Sequence, residues 1–118
     1  MRKNKIKSLI FGISGQDGSY LSHFLFGKGH DIYGTTRNIG KKNLNNLNKL
    51  GVLSKIKIIK CNAKNFKIVK KIIKKIKPQE IYYLCGQSSV TKSFNNPVET
   101  FKSNTLGLLN ILEIVKEI

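Results

Sequence analysis

The sequence is poor in acidic residues and cysteine and contains no tryptophan. Its two cysteines, Cys61 and Cys85, form no C-x-x-C pair and have no cluster of histidines near them, which predicts buried thiols. His23 and His30 have no carboxylate or thiol at ligand spacing. We therefore expect no metal site.

Long apolar runs are also missing. No stretch approaches the roughly 20 residues that span a bilayer. The apolar segment 8–13 runs straight into glycines without a cleavage site of small residues. We therefore expect no membrane segment and no secretory signal, and we predict a cytoplasmic protein.

The charge is strongly one-sided. A chain of 118 residues has room for one domain, and its 22 basic and 6 acidic residues give a net charge of +16. Such an excess is typical of nucleic-acid-binding proteins. Only Arg2 and Arg37 are arginine, the side chain best suited to bidentate phosphate recognition. Because Lys, Asn and Ile share AT-rich codons, we favour genome composition as the cause but keep a basic function open.

Four short segments have the composition of β-strands. The first is a continuous apolar run closed by Gly12, as expected of a buried parallel strand. The others are rich in β-branched and aromatic residues. The four predicted strands cover residues 8–11, 31–36, 55–61 and 80–84.

Helical periodicity separates these strands. The predicted apolar positions of the first helix are Tyr20, Leu21, Phe24 and Leu25. Those of the next long helix are Val69, Ile72, Ile73 and Ile76, with lysines on the opposite face. A short helix is allowed within 38–48, and the last helix runs from about Val98 to the end. Its predicted apolar side carries Phe101, Leu108, Leu109, Leu112 and Val115.

Strands that alternate with helices predict a parallel sheet with right-handed crossovers. In the doubly wound arrangement the strands lie in the order 3-2-1-4, and a ligand binds beyond the carboxyl ends of strands 1 and 4. Cys61 and Cys85 then end strands three places apart, about 14 Å at roughly 4.8 Å per step, too far for a disulfide.

A glycine-rich loop, Gly12-Ile13-Ser14-Gly15-Gln16-Asp17-Gly18, joins the first strand to the first helix. In this setting the G-x-x-G-x-x-G spacing indicates nucleotide binding rather than a plain turn. Gly12 allows the sharp turn, Gly15 lets backbone approach a pyrophosphate, and Gly18 lets the helix pack closely on the sheet. The ligand's charge would meet the free N–H groups of the helix.

The end of the second strand reads Thr35-Thr36-Arg37. NAD-specific proteins place a carboxylate there for the ribose 2′-hydroxyl. Here no carboxylate repels a 2′-phosphate, and Arg37 offers charge-assisted bonds to one. The position favours NADP, the alternative being a solvated surface arginine.

These motifs resemble those of a known family. The run 12–21, Gly-Ile-Ser-Gly-Gln-Asp-Gly-Ser-Tyr-Leu, closely resembles the opening of GDP-mannose 4,6-dehydratases, which belong to the extended short-chain dehydrogenase/reductase superfamily. Residues 78–90, followed by Ser93-Phe94, resemble that family's stretch around strand 4. Residues 104–107, Asn-Thr-Leu-Gly, resemble its next helix, so the similarity covers most of the chain.

The resemblance implies that residues 1–118 form a single NAD(P)-binding domain of α/β class, a Rossmann-type parallel sheet with helices on both faces, ending after about four strands. It implies that 12–17 hold the pyrophosphate, Arg37 the 2′-phosphate, and 84–88 the ribose and nicotinamide of NADP. The expected cofactor-binding residues are Gly12, Ile13, Ser14, Gly15, Gln16, Asp17, Gly18, Arg37, Asn62, Ala63, Leu84, Cys85, Gly86, Gln87 and Ser88.

Four residues depart from the family's pattern. Asn62-Ala63 stand where the family has Asp-Leu beside the adenine, and Asn62 keeps the hydrogen bonds but loses the charge. Glu99 stands where a cofactor-contacting tyrosine is common, and Phe11 replaces the usual threonine.

No catalytic residue is expected in this chain. The superfamily uses a Tyr-x-x-x-Lys pair, and none of the four tyrosines is followed by lysine at that spacing. The family reaction oxidises C4 of the mannose of GDP-mannose, eliminates water across C5 and C6, and returns the hydride to C6, on the way to GDP-fucose. The chain would supply the cofactor portion of a homo-oligomeric enzyme.

Two alternatives stay open. One is a portion of another NAD(P)-dependent epimerase or reductase acting on a nucleotide sugar. The other is a basic nucleic-acid-binding module. For the dehydratase interpretation we also expect an unpaired edge at strand 4 and an uncovered apolar face on the last helix, so that the chain alone should associate.

Overall fold

The sheet has the predicted parallel order. A computed structural model of the chain describes residues 5–40, 43–85 and 97–117. Its strands are β1 (Lys7–Phe11), β2 (Asp31–Thr36), β3 (Lys57–Lys60) and β4 (Glu80–Tyr83). They pair in parallel in the order β3-β2-β1-β4, so β1 lies between β2 and β4. The third strand is shorter than predicted because residues 53–55 form a 3-10 turn before it.

Helices cover both faces of this sheet. They are α1 (Gln16–Gly27), α2 (Asn45–Lys49), α3 (Phe66–Ile76) and α4 (Pro97–Glu117). One core, around Ile10, Ile32 and Leu47, lies on the side of α1 and α2. The other core, around Leu9, Phe11 and Ile73, lies on the side of α3 and α4. The fold class predicted from the sequence is therefore confirmed.

Helix α3 follows its sequence pattern closely. The Asn65 side chain caps its start by accepting a hydrogen bond from the Ile68 amide at 3.2 Å. The helix ends at Ile76, and the next residue, Lys77, takes the left-handed conformation with φ of 53° directly before Pro78. The four predicted apolar positions are all buried: Val69, Ile72, Ile73 and Ile76.

Helix α1 buries a different face from the one predicted. Tyr20 and Phe24 are 58% and 57% exposed, while Leu25 is buried as expected. The residues that turn toward the sheet are instead small, namely Gly18, Ser19 and Ser22. Small side chains let the helix lie close to the strands, and the aromatic side chains then point outward.

Among the side chains that are described, α4 buries positions other than the apolar ones predicted for it. Its buried positions are Gly107, Ile111 and Ile114. Gly107 brings the helix so close to β4 that a Cβ would collide with the Tyr83 hydroxyl. The exposed apolar residues are Leu106, Leu108, Leu109, Leu112 and Val115. This exposed surface agrees with the uncovered face expected for the last helix.

Candidate functional site

The glycine loop is fixed between the ends of two strands. The Gly12 and Ile13 amides both donate to the carbonyl oxygen of Thr35, at the end of β2, at 3.1 Å. The Leu84 amide, just after β4, donates to the Phe11 carbonyl at 2.8 Å. Gly12 has a φ of +85°, and a Cβ there would lie 2.7 Å from the Leu84 oxygen, so only glycine fits this turn.

The third glycine of the motif sets the distance between α1 and the loop. A Cβ on Gly18 would lie 2.5 Å from the Gly12 carbonyl oxygen and 2.7 Å from the Ile13 Cα. These are backbone atoms and cannot turn aside. The close packing expected of Gly18 is therefore present.

The middle glycine is different because nothing in the described part of the protein requires it. Gly15 is exposed, and the nearest atom to an added Cβ is the Gly12 oxygen at 3.7 Å. Gly15 is the N-cap of α1, and no side chain among the described residues caps that end. The first amides of an α-helix have no partner within it. The loop therefore offers open amides beside a position with room for a ligand.

Arg37 follows β2 and is exposed at the same edge of the sheet. Burial raises the pKa of the Cys85 thiol to about 11, with a smaller contribution from Cys61, and the positive charge of Arg37 opposes the rise. Arg37 follows β2, and its guanidinium thus lowers the pKa of a thiol that follows β4. A cation and the open end of α1 lie at one edge.

The two residues after β3 have different surroundings. Asn62 is exposed, and its side-chain oxygen accepts a hydrogen bond from the Lys64 amide at 3.0 Å. Ala63 is buried, and its carbonyl accepts a bond from Asn110 of α4 at 3.0 Å. The Asn62 side chain is therefore open to solvent at this edge, while the Ala63 side chain belongs to the core.

Leu84 and Cys85 follow β4, at the fourth strand end of this edge. Leu84 is 37% exposed and Cys85 is half-buried against the core under α3 and α4. Both Cys85 and Cys61 are free thiols, and burial raises the pKa of each. The expected site residues Gly86, Gln87 and Ser88 lie outside the described residues.

One residue at this edge was missed by the sequence analysis. The side-chain nitrogen of Asn43 donates to the hydroxyl oxygens of Ser14, at 3.2 Å, and Thr36, at 3.0 Å. It also donates to the Asn38 carbonyl. Asn43 lies in an asparagine-rich stretch, and the sequence does not distinguish it from its neighbours.

Two kinds of feature are absent from the described part of the chain. In residues 5–40, 43–85 and 97–117, no helix is both long and apolar enough to cross a membrane. In the same ranges, no three His, Cys, Asp or Glu side chains are grouped as metal ligands would be.

Fold and loop together define the class of protein. The fold is shared with UDP-glucose 4-epimerase from Thermus thermophilus, solved in complex with NAD. The TM-score is 0.80 and the identity 22%, over 95% of this chain and 34% of the epimerase. The chain thus shares the Rossmann-like fold of this epimerase.

The sequence comparisons identify the family within this class. The family model for GDP-mannose 4,6 dehydratase matches residues 9–118. The Vibrio cholerae GDP-mannose 4,6-dehydratase is 32% identical over 117 residues, which cover 95% of this chain and 32% of that protein. The Homo sapiens enzyme is 35% identical over 122 residues, covering 98% and 33%. The chain belongs to the GDP-mannose 4,6-dehydratase family, and it spans about a third of the length of these curated relatives.

Proposed function

We propose that this chain is the NADP-binding portion of a GDP-mannose 4,6-dehydratase. The observation that carries the proposal is the open N-terminus of α1, where Gly15 leaves room for a ligand and no described side chain caps the helix. Family membership supports the same conclusion.

The residues present fit a dinucleotide with a 2′-phosphate. The pyrophosphate would accept hydrogen bonds from the amides of residues 16–18, where the positive end of the helix dipole lies. The exposed Arg37 would bind the 2′-phosphate through charge-assisted bonds. Asn62 would bind the adenine, and residues 84–88 the ribose and nicotinamide. When bound there, the nicotinamide would accept a hydride and later return it.

The reaction proposed for the whole enzyme converts GDP-mannose to GDP-4-dehydro-6-deoxy-mannose and water. We assign no catalytic residue in this chain, because its sequence has no Tyr-x-x-x-Lys pair. The chain therefore binds and orients the cofactor and is not catalytic alone. We also propose that the enzyme is a cytoplasmic homo-oligomer and that its product leads to GDP-fucose. The exposed apolar residues of α4 support assembly.

The test is a titration of the purified chain with NADPH and with NADH, by fluorescence or calorimetry. We expect saturable NADPH binding that weakens about tenfold in Arg37→Ala, because hydrogen bonds to charged groups contribute roughly 1.5–3 kcal/mol. NADH binding should be unchanged in this variant. Gly15→Ala, which places a methyl group where the ligand approaches, should weaken both. If neither nucleotide binds saturably, the proposed function is wrong.

Another nucleotide-sugar epimerase or reductase is an alternative within the same fold. The UDP-glucose 4-epimerase neighbour shows that epimerases share it. Because the chain covers only about a third of the relatives, substrate choice rests on the family match alone. Turnover of GDP-mannose, but not UDP-glucose, by an enzyme containing this chain would decide for the dehydratase.

Nucleic-acid binding is a second candidate, favoured by the lysines of α3. Lys67, Lys71, Lys74 and Lys75 are all exposed. Binding through phosphate contacts should weaken steeply with salt and in a Lys71→Glu/Lys75→Glu variant. Undetectable binding to duplex DNA and single-stranded RNA at low salt would eliminate this candidate.

A further inference from the structure

Asn43 and three other polar residues join the glycine loop to the end of β2. The Asn43 side-chain nitrogen donates to Ser14 Oγ at 3.2 Å, to Thr36 Oγ1 at 3.0 Å and to the Asn38 carbonyl. The two hydroxyl oxygens are themselves 2.9 Å apart and hydrogen-bonded. We call Ser14, Thr36, Asn38 and Asn43 the Asn43 cluster.

The cluster also fixes the turn that follows β2. The Thr36 hydroxyl donates to the Asn38 carbonyl at 3.2 Å, and the Asn38 side chain accepts from the Gly40 amide at 2.8 Å. Such side-chain to backbone bonds are typical of Asx and ST turns. The backbone on both sides of Arg37 is therefore held, at Thr36 and at Asn38.

Arg37 is thus an exposed cation on an anchored backbone. A long side chain loses conformational freedom when it binds an anion, and an anchored backbone reduces that loss. The same cluster anchors Ser14 in the glycine loop. It therefore fixes the Arg37 backbone relative to the loop, and the two would face the two places where a dinucleotide with a 2′-phosphate is anionic.

We propose that Asn43 is a positioning residue for the adenosine 2′-phosphate and thereby favours NADP over NAD. This inference rests on the proposed function and deepens it. Asn43 does not bind the phosphate itself, because its amide N–H groups are already shared among three acceptors. It acts through Arg37, whose position it fixes relative to Ser14.

The test compares NADPH and NADH affinities in the parent chain and in Asn43→Ala. Loss of positioning should weaken NADPH about tenfold, as the loss of one well-placed charged contact does, and NADH less than about twofold. In an Arg37→Ala background, Asn43→Ala should have no further effect on NADPH, because residues that act through one another are not additive. Asn43→Gln, which keeps the amide donor, should restore part of the NADPH affinity.

Controls separate positioning from general support of the fold. Asn48→Ala, at an exposed position of α2, should change neither affinity. If Asn43→Ala is poorly folded by thermal denaturation, Asn43→Asp replaces it. The introduced carboxylate would replace the amide donor with an acceptor, so it cannot donate to the Asn38 carbonyl, and the Ser14 and Thr36 hydroxyls would have to turn to donate to it. Its charge opposes the additional phosphate of NADPH, so NADPH should weaken more than NADH.

The outcomes are distinguishable. Equal weakening of NADPH and NADH by Asn43→Ala, or an undiminished effect in the Arg37→Ala background, would overturn the positioning role while leaving NADP binding standing. A parent chain that binds neither nucleotide would overturn the proposed function, and the inference with it.

Discussion

Helices α1 and α4 lie on opposite faces of the sheet, and each approaches it through a glycine. At α1 the glycine is Gly18, which faces the backbone of Gly12 and Ile13. At α4 it is Gly107, which faces the hydroxyl of the Tyr83 side chain. The first contact is between backbones and has no freedom to adjust, whereas the second involves a side chain that can be changed.

The outer sides of the two helices differ as well. Helix α1 exposes Tyr20 and Phe24, and the Lys28 ammonium lies 4.8 Å from the centre of the Phe24 ring. Helix α4 exposes five aliphatic side chains between 106 and 115. The α1 side thus ends in a rigid loop that fits a small ligand, while the α4 side presents a surface suited to another polypeptide.

The largest expected effect is that of Gly18→Ala on the α1 side. The added methyl group meets backbone atoms, so we expect a loss of about 3 kcal/mol in the free energy of unfolding, at the upper end of overpacking effects. Gly15→Ala is the matched control and should cost within about 1 kcal/mol, as expected for an N-cap without a steric conflict. Chemical denaturation measures both. Equal costs would show that the contact of α1 with the loop is not rigid.

A smaller effect is expected for Gly107→Ala on the α4 side. The Cβ meets the Tyr83 hydroxyl, and we expect a net loss of about 1–2 kcal/mol after the helix propensity gained by alanine. In a Tyr83→Phe background the shortest contact is removed and those with the ring carbon at 3.0 Å and the Ala63 Cβ at 3.2 Å remain, so the same substitution should cost less. A double-mutant cycle by chemical denaturation measures this coupling. Additive costs would contradict the difference drawn between the two helices.

The sequence predicted what local patterns determine. The strand order follows from alternating strands and helices, and the glycine loop follows from one continuous motif between β1 and α1. The buried side of α3 follows from a period of apolar residues with lysines opposite. In these elements the hydrophobic pattern and the tertiary contacts agree.

The faces of α1 and α4 could not be predicted in the same way. Hydrophobicity ranks Tyr20 and Leu109 above Gly18 and Gly107, yet the glycines face the sheet. The glycine motif predicted the close packing of Gly18, whereas the approach of Gly107 to Tyr83, which is distant in the sequence, leaves no local pattern. Asn43 was missed for the same reason, because Ser14 lies 29 residues before it.

A third prediction concerns the exposed surfaces and should change stability only slightly. Leu109→Lys and Leu112→Lys replace exposed residues of α4, so the free energy of unfolding should change by less than about 0.5 kcal/mol. Self-association, measured by sedimentation velocity, should decrease in both variants. Phe24→Lys on α1 is the matched control and should leave association unchanged. A decrease in the control as large as that on α4 would remove the distinction between the two surfaces.

The smallest expected effect concerns Cys85, which lies where the two regions meet. Its pKa of about 11 is above the ordinary value of 9.0, so the folded chain holds the proton that the unfolded chain loses. The resulting contribution to stability is present below pH 9 and is lost as the pH rises toward 11. Alkylation by iodoacetamide should accordingly accelerate across this range.

Arg37→Ala tests whether the guanidinium acts on this thiol. The positive charge favours the thiolate, so its removal should raise the pKa of Cys85 further and slow alkylation at a given pH. Cys61 is the internal control, because burial alone raises its pKa. Peptide mass spectrometry measures both rates in one sample. If alkylation slows at Cys85 alone, the Arg37 charge lies beside the end of β4. Equal Cys85 rates in parent and variant would show that Arg37 has no effect on this thiol.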